Sequence, residues 1–196
     1  NLFTGTIPPG LSGMRKLSSL SLNNNFLIGS ISHVEELLWL ASLDFGSNRL
    51  SGSLPLEFGW LSNLTSLMLG NNEFTGSIST EIGHLSLLSS LGLSHNRLDG
   101  EIPSEVGLLS GLSLLELDDN EFVGPIPEEI WFLSSLTILK LHENRYQSFS
   151  IPTEIGLLSG LKSLQFDRVR GEIPTEIGLL LNLTSLELQR NSLSGS

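Results

Sequence analysis

The sequence predicts an α/β solenoid, a curved rod of stacked units that bury one continuous core and share a parallel β-sheet. Three observations predict it. First, the skeleton LxxLxLxxNxФxGxIP, with Ф a large apolar residue, fits Leu112 to Pro127 and recurs throughout the chain. Second, its asparagine returns at Asn1, Asn25, Asn48, Asn72, Asn96, Asn120, Asn144 and Asn191, most often at a 24-residue step. Third, LxL alternates leucine with polar residues, the period-two pattern of a strand with one buried face. A solenoid grows with repeat number, so the 196 residues form one segment rather than two domains.

A fixed period of this size with leucines in these places is the signature of leucine-rich repeats. The chain opens on the tail of one repeat, with Gly5 and Ile7 in register. Repeat one starts at Leu17 and has 23 residues; Glu35 to Leu40 predicts a slightly longer helical turn there. Repeats two to five start at Leu40, Leu64, Leu88 and Leu112, one 24-residue period apart. Two irregular repeats follow. Repeat six, 136–160, has 25 residues and no glycine after its asparagine, and repeat seven, 161–182, has 22 and skips the asparagine. Repeat eight begins at Leu183.

Each skeleton position has a physical role. Successive LxL strands stack at about 4.8 Å, which gives a rod roughly 40 Å long. The asparagine amide can satisfy backbone groups at the turn, each of which would cost about 1–3 kcal/mol if orphaned. Glycine permits a tight path, and the proline at 8, 55, 103, 127, 152 and 174 ends a short second strand around GxI. Ser32 and Ser79 replace that proline in the other two units.

Net charge is −11 with pI about 4.7, which argues against nucleic acid and against anionic membranes as partners. No apolar run is long enough to span a bilayer, and no signal peptide is recognisable where the chain opens in mid-repeat. The absence of cysteine excludes disulfides, thiolate metal sites and cysteine nucleophiles. Sequons at Asn63-Leu64-Thr65 and Asn182-Leu183-Thr184 are candidate glycosylation sites and fit a secreted chain, although a repeat rich in Asn, Leu and Thr also generates sequons by chance.

The GxIP element followed by xEIGxL resembles the plant-type extracellular repeats of receptor-like kinases and receptor-like proteins, and similar algal repeats. The resemblance covers essentially the whole chain. It implies a right-handed superhelix with a concave parallel sheet, a short second sheet, 3₁₀ turns on the convex side, and ligand binding through repeat surfaces. Two departures stand out. Cysteine-bearing caps, usual in that family, are missing, so other chains or flanking repeats are expected over both ends. The column before the leucine of xEIGxL, often polar in the family, reads Trp60, His84, Leu108, Phe132, Leu157 and Leu179.

Three surfaces follow from the register. On the strand side the early repeats present small residues such as Ser42, Ser66 and Gly70. Later repeats present Glu116, Asp118, Asp119 and Glu121, then Lys140, His142, Glu143 and Arg145, then Gln165, Asp167 and Arg168, with Glu187, Gln189 and Arg190 in repeat eight. Such asymmetry marks a localised partner-binding site, or else charges that keep a sheet soluble. The outer column is a candidate packing surface if exposed, and core if its side chains fold back. The third surface is a ladder of Glu57, Glu81, Glu105, Glu129, Glu154 and Glu176. Neighbours about 5 Å apart repel by roughly 0.8 kcal/mol in water, nearly offset by about 0.3–1 kcal/mol from each turn dipole. The ladder therefore needs no cation, and capping of the outer turns is its expected role.

His33, His84, His95 and His142 fall in different repeats without triad or metal-ligand spacing, and Asp118 to Glu121 lacks the spacing of a calcium loop. No catalytic residue, metal or cofactor is expected. The expectation is a protein- or peptide-recognition module at the cell surface or outside the cell, binding on the concave face. The rival expectation is a structural component packed into a larger assembly through the outer column. Glycan or ice binding through Ser and Thr columns is a third, weakened by Gly and Leu interruptions.

Overall fold

In a computed structural model, residues 2–195 are described; Asn1 lies outside them. Eight three-residue strands form one parallel sheet in strict chain order: Ser19–Ser21, Ser42–Asp44, Ser66–Met68, Ser90–Gly92, Leu114–Glu116, Ile138–Lys140, Ser163–Gln165 and Ser185–Glu187. The register pairs each central leucine with the next, for example Leu91 with Leu115 and Leu115 with Leu139. All three leucines are fully buried, and so are Leu112, Leu117 and Phe122 of the same skeleton. Each contributes about 1.5–3 kcal/mol by leaving water.

The asparagines work as an internal ladder. Asn120 accepts from the backbone N–H of Leu98 at 3.0 Å and donates to the carbonyls of Leu93, Leu117 and Asp118 at 3.0 to 3.2 Å. Asn48, Asn72, Asn96 and Asn144 repeat that set one unit apart. The residue just before each asparagine is left-handed, as at Asp119 (φ 53°) and Glu143 (φ 53°), which turns the chain inward. The skeleton glycine is also at positive φ, for example 76° at Gly124, where a side chain would be strained.

On the convex side the turns are 3₁₀, from Pro9–Gly13 to Thr175–Leu179, and no α-helix occurs among the described residues. Proline precedes six of them, at Pro8, Pro55, Pro103, Pro127, Pro152 and Pro174. In repeat three Ser79 replaces it and accepts from the Glu81 N–H at 3.2 Å. Repeat one corrects an expectation: its turn, Val34–Glu36, is shorter than the others, not longer. The one-residue deletion is absorbed by left-handed His33 (φ 59°) ahead of the turn.

The second sheet is interrupted. Thr4–Thr6, Phe26–Gly29, Arg49–Ser53, Glu73–Gly76 and Arg97–Leu98 form one run, and Arg170–Gly171 pairs with Ser192–Leu193 in another. Between them single backbone bonds continue, as from Val123 N–H to Gly100 O and Gln147 N–H to Gly124 O. The gap covers repeats five and six, and pairing resumes in repeat seven, where Phe149 and Val169 form a single bridge ahead of Arg170–Gly171. Val169 N–H donates to Asn191, the role Phe122 N–H has toward Asn144, so repeat seven has lost the asparagine and the residue after it. Arg168 (φ 60°) reaches back instead, its Nε donating to Asn144 O at 2.8 Å.

The glycine of EIG has a packing reason. A Cβ on Gly107 would overlap Glu129 of the next turn, and Gly59 and Gly83 meet Glu81 and Glu105 in the same way. Trp131 takes this position in repeat five, just before the 25-residue repeat. It is buried and lies edge-on to Phe166 at 5.9 Å, with Phe149 edge-on to the same ring at 5.6 Å. This aromatic wedge fills the core where the backbone spacing is irregular.

Candidate functional site

The exposed face of the large sheet has two parts. Over repeats one to six runs a groove of about 330 Å³, with Asp44, Gly46, Met68, Gly70, Gly92 and Ser94 on its floor and Glu116 and Lys140 at its far end. Its depth comes from small residues: a Cβ on Gly92 would stand 2.5 Å from Met68 Cε. The sequence marked these repeats as quiet and missed the groove, although its run of Gly and Ser was the available signal. Beyond it lies a second pocket of about 120 Å³, formed by His142, Glu143, Gln165, Phe166, Asp167, Glu187, Gln189 and Arg190.

Most of the charged residues named from the sequence are here, and most are matched in pairs. Lys140 Nζ lies 2.8 Å from Glu116 Oε1, Arg145 lies 2.9 Å from Glu121, and His95 hydrogen-bonds Asp119. Arg190 spans repeat seven to reach Glu143 at 3.0 Å, and Gln165 donates to Glu187 at 3.0 Å. The hydrogen bond and charge of Glu116 outweigh partial burial and raise the Lys140 pKa above its ordinary 10.5. Each pair is at least partly exposed, so each contributes only about 0–1 kcal/mol to folding.

Two expectations about this patch are corrected. Asp118 and Asp167, read as outward-facing, are buried at 5% and 9% relative exposure. Asp118 is short enough to lie between neighbouring strands, where the Ser94 hydroxyl donates to it. In the shortened repeat seven, the Asp167 carboxylate turns under the rim, and its Oδ2 accepts from the Glu143 N–H at 2.8 Å. Three buried polar atoms at this break have no protein partner: Asp167 Oδ1, His142 Nδ1 and the Tyr146 hydroxyl. Burial, and then the charges of Asp167 and Asp118, push the Tyr146 pKa well above its ordinary 10.0.

The outer column does not fold into the core. Trp60, Leu108, Phe132, Leu157 and Leu179 are 50 to 64% exposed, and His84 is exposed and paired with Glu81 at 3.0 Å. Leu108 and Leu179 lean back over Gly83 and Gly156, with a Cδ1 at 3.1 and 3.0 Å from where a Cβ would stand. The two sequon asparagines are exposed near this edge. Asn63 donates to Leu38 O at 2.8 Å and Asn182 to Ser159 O at 2.9 Å. Thr65, Ser89, Ser113, Thr137 and Thr184 each donate a hydroxyl to the carbonyl of the preceding repeat. No group of three or more His, Cys, Asp or Glu residues with metal-binding geometry occurs among the described residues, and no described helix is long and apolar enough to cross a membrane.

The Leucine Rich Repeat family profile matches residues 39–61, 63–85 and 87–109. No curated protein sequence matches the chain. Among solved structures, the TDR receptor is similar over 98% of this chain and 34% of its own, with 34% identity and a TM-score of 0.93. The ectodomain of the Arabidopsis receptor kinase HAESA, in complex with an extended IDA peptide hormone, is similar over 100% of this chain and 37% of its own, with 35% identity and a TM-score of 0.86. A plant ice-binding protein is similar over 98% of this chain and 70% of its own, at 26% identity and a TM-score of 0.82. The chain thus spans about a third of the length of the two receptors. Matched profile, recurring skeleton and shared architecture together make this chain a leucine-rich repeat solenoid with repeats of the plant receptor type.

Proposed function

We propose that this solenoid is a recognition module of a secreted or cell-surface protein, binding a peptide or an extended protein segment along its concave face. The observation that carries this reading is that the small-residue groove and the charged pocket follow one another along the same sheet face, Lys140 of the groove being the register neighbour of Gln165 of the pocket. HAESA, similar along the whole chain, is seen with a peptide hormone, and its ectodomain is extracellular. Glu116, Asp119, Glu121, Lys140, His142, Glu143, Arg145, Gln165 and Arg168 would set specificity, because the skeleton residues between them are spent on the fold. Glycans on Asn63 and Asn182 would sit on the outer edge and leave the groove open; intact-mass analysis of protein secreted from a eukaryotic host tests them.

The test of the main reading is selection from a random-peptide display library. Selected peptides are expected to lose binding when Glu116, Asp119 and Glu121 are changed together to lysine. Binding that survives these changes would sink the reading.

Lateral packing through Trp60, His84, Leu108, Phe132, Leu157 and Leu179 is the second reading, favoured by the exposure of that column. Sedimentation as a monomer at high concentration counts against it. Ice or glycan binding is disfavoured because the most regular hydroxyl column is already hydrogen-bonded to the backbone.

A further inference from the structure

The pocket closed by Glu143 and Arg190 points to a ligand chemistry, an inference that rests on the peptide-recognition reading above. We propose that it receives one basic side chain of a bound peptide. Glu143, Asp167 and Glu187 line it, with Arg190 as the one cation in the lining. Elsewhere on the concave face Glu116, Glu121 and Asp119 pair with Lys140, Arg145 and His95, while Asp44 and Asp118 have their carboxylates bonded by Asn23, Gly46 and Ser94. Here Asp167 is 9% exposed, one oxygen is held by the Glu143 N–H, and the other has no partner.

An unpaired buried acceptor is costly until a donor reaches it, and a cationic donor gains most. His142, whose buried Nδ1 is equally unpartnered, lines the same pocket. The pocket's 120 Å³ is roughly the share of four waters, which suits a guanidinium or ammonium head group rather than a whole residue. Access is through the Glu143–Arg190 pair, whose side chains are 46% and 75% exposed. A pair so exposed is weak, so an incoming cation can replace Arg190 beside Glu143. An anionic group would instead meet Glu187 and Asp167.

The experiment is a titration followed by NMR with Nα-acetyl-arginine amide and with its neutral isostere, Nα-acetyl-citrulline amide. The arginine probe is expected to give saturable shifts at His142, Gln165 and Arg190, and the citrulline probe to bind at least about tenfold more weakly. Asp167→Asn is expected to weaken the arginine probe. Arg190→Gln, on the exposed rim, is expected to tighten it severalfold, because the competing cation is gone. Equal binding of both probes, shifts that do not saturate, or weakening by Arg190→Gln would overturn the proposal. The display selection separates the two readings. Peptides without lysine or arginine that still depend on Glu116, Asp119 and Glu121 would remove the pocket but keep concave recognition. Peptides indifferent to those three residues would remove the broader reading.

Discussion

Repeats two to four and repeats six to seven share one skeleton but use it differently. In the first region each asparagine is bonded to three or more backbone groups, and spacing is uniform. In the second, one residue is gained, two are lost, the asparagine of repeat seven is gone, and three buried polar atoms lack partners. The second sheet, broken over repeats five and six, resumes only in repeat seven, and the second concave pocket forms over repeats six to eight. Regularity gives the rod its stability, and the departure from it creates a site.

The largest expected effect lies in the regular part. Leu115→Ala, at a fully buried position, should destabilise by about 2–5 kcal/mol in chemical denaturation. Leu186→Ala, 43% exposed in the last strand, should cost well under half of that. A loss below about 0.5 kcal/mol at Leu115 would break the comparison, since it would misplace the core. Next comes Asn120→Ala, which orphans the Leu98 N–H and deprives three carbonyls; about 1–3 kcal/mol is expected.

Hydrogen exchange sharpens the contrast further. Phe166 to Gly171, without a ladder asparagine, should open before the corresponding residues of repeats two to four. Faster exchange in the regular repeats would reverse the argument.

The smallest effect concerns Tyr146, the only tyrosine in the chain. Its hydroxyl is buried without a partner, so Tyr146→Phe should leave stability unchanged or raise it by up to about 1 kcal/mol. The sign with pH follows from the raised folded pKa. An unfolded chain releases the phenol proton near 10.0 while the folded chain retains it, so this contribution is intact below that pH and is lost above it. Lys140, raised above 10.5 by Glu116, acts in the same direction. Alkaline unfolding should therefore set in at higher pH for Tyr146→Phe than for the natural chain, and tyrosinate absorbance should appear only as unfolding proceeds.

The repeat period made the large sheet, the skeleton glycines and the buried leucines legible from the sequence, because each depends on neighbours at a fixed spacing. The asparagine ladder was legible for the same reason. Asp118 and Asp167 were not: alternation places them outward, but a short side chain beside a serine hydroxyl or an unpaired N–H turns in. Trp131 was opaque as well, since its burial against Phe166 depends on how two irregular repeats compensate one another. The shallow groove over Gly46, Gly70 and Gly92 is defined by what is absent, and a pattern read for charge passes over it.

Whether recognition centres on the broken part of the rod can be measured by hydrogen-exchange footprinting with a library-selected peptide bound. Protection is expected at Leu141 to Gln147 and Gln165 to Val169, with weaker protection along the groove at Gly46, Gly70 and Gly92. Protection confined to the outer turns bearing Trp60, Leu108, Phe132, Leu157 and Leu179 would contradict the account.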